Sequence, residues 1–507
     1  MDVKVAKRPF PLGGVLWSTA NRWIVGTKGR VFILIPECSN ASGGRERREV
    51  SAAIESNNSI EAVCLLEPLS EQYAYDNALG VLASDSSLRV FAPLGNPDTD
   101  NWSQVGSYKS EANISQMCAI SCTLSNVAVA ACGFMNGTVE LVRLEPLEED
   151  PGNVATEMVL SLEASQHAVC HMAWIHGGDS CGLLLLLVCT VDGRAILWRV
   201  DSDLSRASPL TTIGSHDWRS YTAHCASGGC LVLAKAGSVA IVDVLADGVP
   251  RIEYVSLAVS QTIVSCVIDE IRGRIYVGAA DFVVFVLSKQ NSQWVGMPEE
   301  ERMLRDGMRQ TVVKSFTTKF RISSLILRGL YLSPNARYLA FDTDDQVDWD
   351  VASDGDNITR IHFHRFADWS SELLERSVVK LADGKYQGEL RYALWDLLNE
   401  CSAEDVAAMV EALQQIKVAN GSVQQSQRLA ILNYIASTPK ANNDQAYLTQ
   451  VNWAVHQPAY AGISGKLPNI GSSTEKLEPL DCPVCGKDME LLVRQTACCE
   501  NKHMFRK

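Results

Sequence analysis

The stretch LLLLVCTVDGRAILWRV, Leu184 to Val200, decides the fold. Its first half belongs to an apolar run from Gly182 to Thr190, far short of the roughly 20 residues that cross a bilayer, so it reads as a buried strand. Asp192-Gly193 supplies a tight turn whose chemistry permits positive φ. A second apolar strand follows, and the whole reads as a hairpin.

The same strand, turn and strand recur along the first 365 residues. The copies are RWIVGTKGRVFILIP from Arg22, LGVLASDSSLRVFAP from Leu79, VAVAACGFMNGTVELVRL from Val127, CLVLAKAGSVAIVDV from Cys230 and RIYVGAADFVVFVL from Arg274. A degenerate copy begins at Tyr338 (YLAFDTDD) and resumes at Asn357 (NITRIHFHRF). Most copies are preceded by a further short apolar strand: GGVLWS, SQMCAIS, VCHMAWI, IVSCVID and LYLS. The turns recur every 45 to 60 residues or so, the length of a blade of four strands plus loops. The expected fold is therefore mainly β, a seven-bladed WD-repeat-like β-propeller over residues 1–367, with two stacked β-sandwiches as the competing architecture. The WD dipeptides are missing from their usual place, since Trp198 is followed by Arg199 and Trp349-Asp350 lies outside the strand position.

Between the sixth and seventh copies, PEEERMLRDGMRQTVV (298–313) reads as a short inserted helix with acids in its first turn, either decoration or a partner-binding arm. After Asp368 the apolar period lengthens to near 3.6 in ELLERSVVKL, ELRYALWDLLNE, SAEDVAAMVEALQQI and SQRLAILNYIAS. Ser402 and Asp405 have the spacing of a helix-start cap. Residues 368–461 thus read as a helical segment, 462–479 as a linker and 480–507 as a zinc-finger-like tail.

Composition narrows the function. Lys and Arg number 45 against 59 Asp and Glu, a net charge of −14 that repels a phosphate backbone and disfavours autonomous DNA binding. The N-terminal MDVKVAKRPFPLGG lacks an apolar core, so a secretory signal is not expected. Of 16 cysteines, twelve are scattered singly from Cys38 to Cys401 in apolar stretches and read as buried free thiols of a reducing compartment.

The other four cysteines crowd the tail, LDCPVCGKDMELLVRQTACCENKHMFRK. Cys482 and Cys485 at a two-residue spacing, followed by Gly486, form a metal knuckle, and Cys499 with His503 supplies a second pair. Those four would close a tetrahedral structural site for one zinc ion; Cys498 competes with Cys499 for the third place. A tail this short lacks a core, so the metal would supply most of its folding energy. A RING-type ubiquitin ligase needs eight ligands, and five candidates stand here. His167, Cys170, His171 and His176 straddle a blade strand whose alternation sends neighbours to opposite faces, so they read as core or loop residues. His362 and His364 share a strand face and read as solvated. No Walker-type, dinucleotide or GxSxG motif occurs.

The order of parts resembles the propeller subunits of transcription factor IIIC, the multi-subunit factor that recruits the RNA polymerase III machinery. The residues that carry the resemblance are VLWSTANRWIVGTKGRVFILIP, 15–36, and the tail knuckle Cys482, Cys485, Cys499 and His503. Lys502 departs from the family's glycine, and Lys507 stands where a further cysteine is expected. The resemblance implies a nuclear scaffold that contacts the other subunits and polymerase III initiation factors, reaching DNA only through the complex and having no membrane role. It also brings a family-linked histone acetyltransferase activity, for which the acetyl-CoA loop is not matched: Gln293 to Gly296 begins one and Met297-Pro298 ends it. Two other settings compete with it, a propeller-solenoid subunit of a membrane-coat or nutrient-signalling complex, and an enzyme of the acetyltransferase or ubiquitin-ligase kind.

Overall fold

The computed structural model describes residues 2–5, 15–17, 23–27, 29–37, 47–55, 58–66, 78–93, 102–111, 115–122, 128–147, 153–176, 184–214, 219–227, 229–244, 249–315, 325–345, 359–366, 370–382, 403–416, 425, 428–432, 435, 489–493, 496–499 and 504–506. Its strands, after β1 (Asp2–Val5), fall into blades. Blade 1 holds β2 (Val15–Trp17), β3 (Trp23–Gly26), β4 (Arg30–Glu37) and β5 (Arg47–Glu55). Blade 2 holds β6 (Ile60–Leu65), β7 (Leu79–Ala83), β8 (Ser87–Pro93) and β9 (Trp102–Tyr108), and blade 3 holds β10 (Met117–Cys122), β11 (Val129–Phe134), β12 (Thr138–Pro146) and β13 (Val154–Glu163). Blade 4 comprises β14 (Val169–His176), β15 (Leu184–Thr190), β16 (Ala195–Val200) and β17 (Ala207–Ile213). Blade 5 comprises β18 (Ala223–Ser227), β19 (Cys230–Lys235), β20 (Ser238–Val244) and β21 (Pro250–Ser256). Blade 6 has β22 (Ile263–Asp269), β23 (Arg274–Ala279), β24 (Val283–Gln290) and β25 (Gln293–Gly296), followed by helix α1 (Pro298–Ser315). Blade 7 has β26 (Leu325–Leu332), β27 (Tyr338–Asp345) and β28 (Thr359–Arg365). Each of the seven sheets is four-stranded, antiparallel and ordered as its strands occur in the chain, save one.

The exception closes the ring. Blade 7 takes its fourth strand from the other end of the chain: β1 pairs with β28, with Asp2 opposite His362 and Val5 opposite Thr359. Sequence pattern alone assigned no strand to Asp2–Val5, because four residues carry too little periodicity and their partner is hundreds of residues away.

Seven apolar clusters fill the seven seams, one between each pair of neighbouring blades, including a seam of Trp23, Phe32, Ala340 and Phe363 between blades 1 and 7. That makes the chain a closed seven-bladed β-propeller. The continuous run in β15 follows from it. Leu184, Leu186 and Val188 face blade 3, while Leu185, Leu187 and Cys189 face blade 5, so neither side meets water. Each such leucine contributes about 1.5–3 kcal/mol by burial. The outer strands differ. β13 and β17 have exposed residues along most of their length, so they show no apolar run.

The turn glycines have a steric reason. Gly193 has φ +83°, and a Cβ there would lie 2.6 Å from the Arg219 carbonyl oxygen; at Gly137, also φ +83°, it would lie 2.3 Å from that of Ser165.

Helix α1 replaces sheet. β25 is only four residues long and leaves part of β24 unpaired, so the Val286 amide donates to Glu301 Oε1 of α1 (3.2 Å) and the Met297 amide donates to the Val286 carbonyl (2.8 Å). Leu304, Met308 and Val312, one per turn, bury themselves in the seam of blades 6 and 7. Beyond the ring, α2 (Ser371–Leu381) starts at Ser370, whose hydroxyl accepts from the Leu373 amide, and packs on α3 (Ala403–Gln415). Asp405 accepts a hydrogen bond from Ser371 of α2 (2.7 Å), and Ser402, expected to cap α3, lies outside the described residues. The helical expectation at 389–400 also lies outside them, and Leu429, Ile431, Leu432 and Ile435 of the fourth pattern are buried. No helix among the described residues is long and apolar enough to cross a membrane.

Candidate functional site

Antiparallel order fixes two faces. The first strand of every blade starts, and the second turns into the third, on what we call the upper face; the first turns into the second on the lower face. Side-chain ties across the upper face repeat from blade to blade. Asn58 Nδ2 donates to Asp85 Oδ2 (2.7 Å) in blade 2, the Asn136 amide donates to Ser115 Oγ (3.0 Å) in blade 3, His167 approaches Asp192 (4.0 Å) in blade 4 and Ser260 donates to Asp281 in blade 6. Each joins the segment before a first strand to the second turn of the same blade. The ties hold the upper turns in place through an Asp or Asn of the turn (Asp85, Asn136, Asp192 and Asp281), while the residue before the first strand varies.

Two apolar turn residues project from that frame, Met135 (52% exposed) in blade 3 and Val191 (44% exposed) in blade 4. Beside Met135 lies an open groove of about 390 Å³ between blades 2 and 3, lined by Ser84, Ser86, Lys109, Ser110, Gln116 and Phe134, among others. Asp85 at its edge is neutralised by Arg89 (2.9 Å). Despite the cost of its partial burial, bonds from Ser87 and Arg89 hold its carboxyl below the usual carboxylate range. Around Val191 stand Arg194, Arg219 and Lys235. Arg194 pairs with the buried Asp192 (3.0 Å), and the Lys235 ammonium donates to the Gly193 carbonyl (2.8 Å) and lies 5.0 Å from the centre of the Tyr221 ring.

The lower face of blades 6 and 7 is occupied by α2. Arg376 donates to the Ile271 carbonyl (3.3 Å), Ser377 to the Asn335 carbonyl (3.3 Å), and Lys380 pairs with Glu270 (2.9 Å). Beneath them the blade 6 turn carries a buried ion pair. Arg272 donates to Asp269 Oδ2 (2.9 Å) and to the Ala336 carbonyl of blade 7 (2.7 Å), and its guanidinium lies 4.2 Å from the centre of the Phe366 ring.

The structure separates the histidines and cysteines singled out by sequence. His171 points into the seam of blades 4 and 5, its ring nitrogen 3.0 Å from the Tyr221 carbonyl and its centroid 5.1 Å from that of His224. Burial pushes the pKa of His171 down; burial and then the neighbouring His171 bring that of His224 to about 3. His224 carried no sequence signal. His362, expected on a solvated face, is fully buried: its ring stacks on Phe341, and its Nε2 lies 3.1 Å from Thr343 Oγ1. Strand alternation turns Ile361 and Phe363 toward blade 1 and His362 toward Phe341 in the seam of blades 6 and 7, so neither face of β28 meets water. Cys118 bonds the Val169 carbonyl (3.0 Å) and Cys170 the Cys189 carbonyl (3.4 Å), and burial raises their thiols to about 11 and about 12. Eight cysteines of the propeller, from Cys64 to Cys266, are free thiols that are buried or half-buried. Gln293–Gly296 is strand β25.

In the tail, β29 (Met489–Val493), β30 (Thr496–Cys499) and β31 (Met504–Arg506) form a three-stranded sheet, with Met489 opposite Cys499 and Glu490 opposite Cys498. Cys482, Cys485 and His503 lie outside the described residues. Among the described residues, no group of three or more His, Cys, Asp or Glu is placed to hold a metal ion.

No family model and no curated protein sequence matches the chain. Among solved structures, a chain of the mitotic checkpoint complex aligns at 15% identity and a TM-score of 0.43, covering 70% of this chain and 86% of its own. Sqt1 of Saccharomyces cerevisiae aligns at 10% identity and a TM-score of 0.43, covering 64% of this chain and 78% of its own. The fold assignment stands on the sheets and seams described above.

Proposed function

We propose that this chain is a non-catalytic assembly scaffold, a propeller subunit of the transcription factor IIIC complex that works in the nucleus and supports RNA polymerase III initiation through protein contacts. The observation that carries the scaffold reading is the division of the ring into two faces. Helix α2 covers lower-face turns of blades 6 and 7, while the upper turns of blades 3 and 4 present Met135 and Val191 to solvent. Exposed apolar residues held on a rigid frame suit docking. The assignment to transcription factor IIIC is supported by residues 15–36 and by the tail spacing of Cys482, Cys485, Cys499 and His503. In this reading the tail holds one structural zinc ion, and DNA is reached only through the complex.

Affinity purification of the tagged full chain from nuclear extract tests it: the other subunits of the factor and polymerase III initiation factors co-purify. Recovery of an exclusively cytoplasmic set of partners overturns the assignment. Native mass spectrometry of the purified chain reads the tail separately, with one zinc ion expected, lost on Cys482→Ser.

A further inference from the structure

The outer strands of blades 1 to 5 (β5, β9, β13, β17 and β21) run for seven to ten residues, whereas β25 of blade 6 and β1 of blade 7 have four each. In blade 6 the shortfall is made up by α1, whose Glu301 accepts from the Val286 amide. Blade 7 has the greater need. No hairpin ties β1 to its sheet, since the chain runs on from it into blade 1, and only the ladder of Asp2–Val5 with Thr359–His362 holds it. A strand so attached can lift away while β26 to β28 stay paired. It also ends its sheet, and an edge strand offers a row of backbone N–H and C=O groups to whatever lies beside it.

The tail sheet ends in the same way. Its order is β29-β30-β31, which makes β31 (Met504–Arg506) an edge too. The Cα atoms of β31 come within 8 Å of those of β1. Neighbouring strands of one sheet lie about 4.8 Å apart, while strands with another between them, and sheets stacked face to face, lie about 10 Å apart. The approach is therefore too close for an intervening strand or a stacked sheet, and it sets the two edges side by side.

We infer that the tail docks on blade 7 by strand addition, with β31 along the outer edge of β1, so that the blade continues as β26-β27-β28-β1-β31-β30-β29 and the tail straps down the strand that closes the ring. Both partners gain. β1 is held by two ladders in place of one, and a sheet whose strands have five, four and three residues, mostly under the usual ~5–6, grows from an edge that already exists. An edge covered by a segment of its own chain is also closed to pairing with a second copy.

The strap needs neither the transcription factor assignment nor a bound metal, and hydrogen–deuterium exchange of the purified full chain tests it. Successive amides of a strand point to opposite sides, so Met504→Pro combined with Phe505→Pro removes one donor from each edge of β31. The amides of Val3 to Val5 then exchange about tenfold faster or more, while those of β11 in blade 3 keep the parental rate and show that the ring is folded. Parental exchange at Val3 to Val5 in this variant overturns the inference. A second measurement leaves β31 intact: a benzophenone amino acid in place of Val3, irradiated in the full chain, is captured by peptides from 489–506 of the same molecule. Capture by any other segment, or between two copies, overturns it as well.

Discussion

The two faces of the ring are built from the same kinds of turn but terminate differently. On the lower face at blades 6 and 7, the turn residues Asp269 and Arg272 are buried at 0% and 6% side-chain exposure, and α2 is bonded to the turn backbone. On the upper face at blades 3 and 4, Met135 and Val191 stand in solvent beside residues that are held, Gly137 and Gly193 by steric fit and the buried Asp192 by Thr190 and Arg194. The lower turns are covered, whereas each of these upper turns leaves one apolar side chain, Met135 or Val191, free to vary without disturbing a seam.

The largest test of that contrast removes one half of the buried pair. Asp269→Ala leaves the Arg272 guanidinium without its carboxylate and strips the bonds from the Ile271 and Arg272 amides (3.0 Å each), a loss of about 3–5 kcal/mol in equilibrium unfolding. A loss under about 1 kcal/mol would mean that the turn is no anchor. Next, Met308→Ala in α1 costs about 2–5 kcal/mol, because it opens a cavity between blades 6 and 7; an arm that merely hangs from the ring would give a near-neutral change.

A third test uses pH at the seam of blades 4 and 5. The unfolded imidazole of His224 takes up a proton near pH 6.5, whereas the folded one resists it until about 3. The unfolded chain binds more protons in that window, so stability is complete above pH 6.5 and falls as pH drops toward 3, by ~2 kcal/mol at pH 5 for this group. His171, shifted the same way, adds to the slope. Urea unfolding of His224→Gln followed from pH 7 to pH 4.5 shows a shallower decline than the parent; parallel profiles refute the buried neutral pair. The smallest effect is expected on the upper face, where Met135→Ser changes stability by less than about 0.5 kcal/mol. A larger loss would place that residue inside a seam.

The hairpins were legible because their strands are buried on both sides, as β15 shows with leucines facing blades 3 and 5 in alternation. The outer strands were not. Burial on one side only leaves VATEMVLSLE (154–163) with a weak alternation that many exposed segments share. Inserted helix α1 could be read from its acids and its spacing, yet the reason for it, the early end of β25, required the sheet. The zinc knuckle is a matter of spacing alone, and His362 reads as solvated in the sequence because Phe341 and Thr343, which meet its ring, lie on another strand.

By itself the sequence determined the unit: apolar strand, Gly- or Asp-bearing turn, apolar strand, repeated until a ring is the arrangement that buries both sides of each copy. Tertiary structure decided how the ring closes, with Asp2–Val5 laid along Thr359–Arg365, and which face is left open once α2 has settled on the other. The reason is that strand pairing and charge pairing depend on distances in space. A chain records such distances only when the partners are also neighbours in sequence.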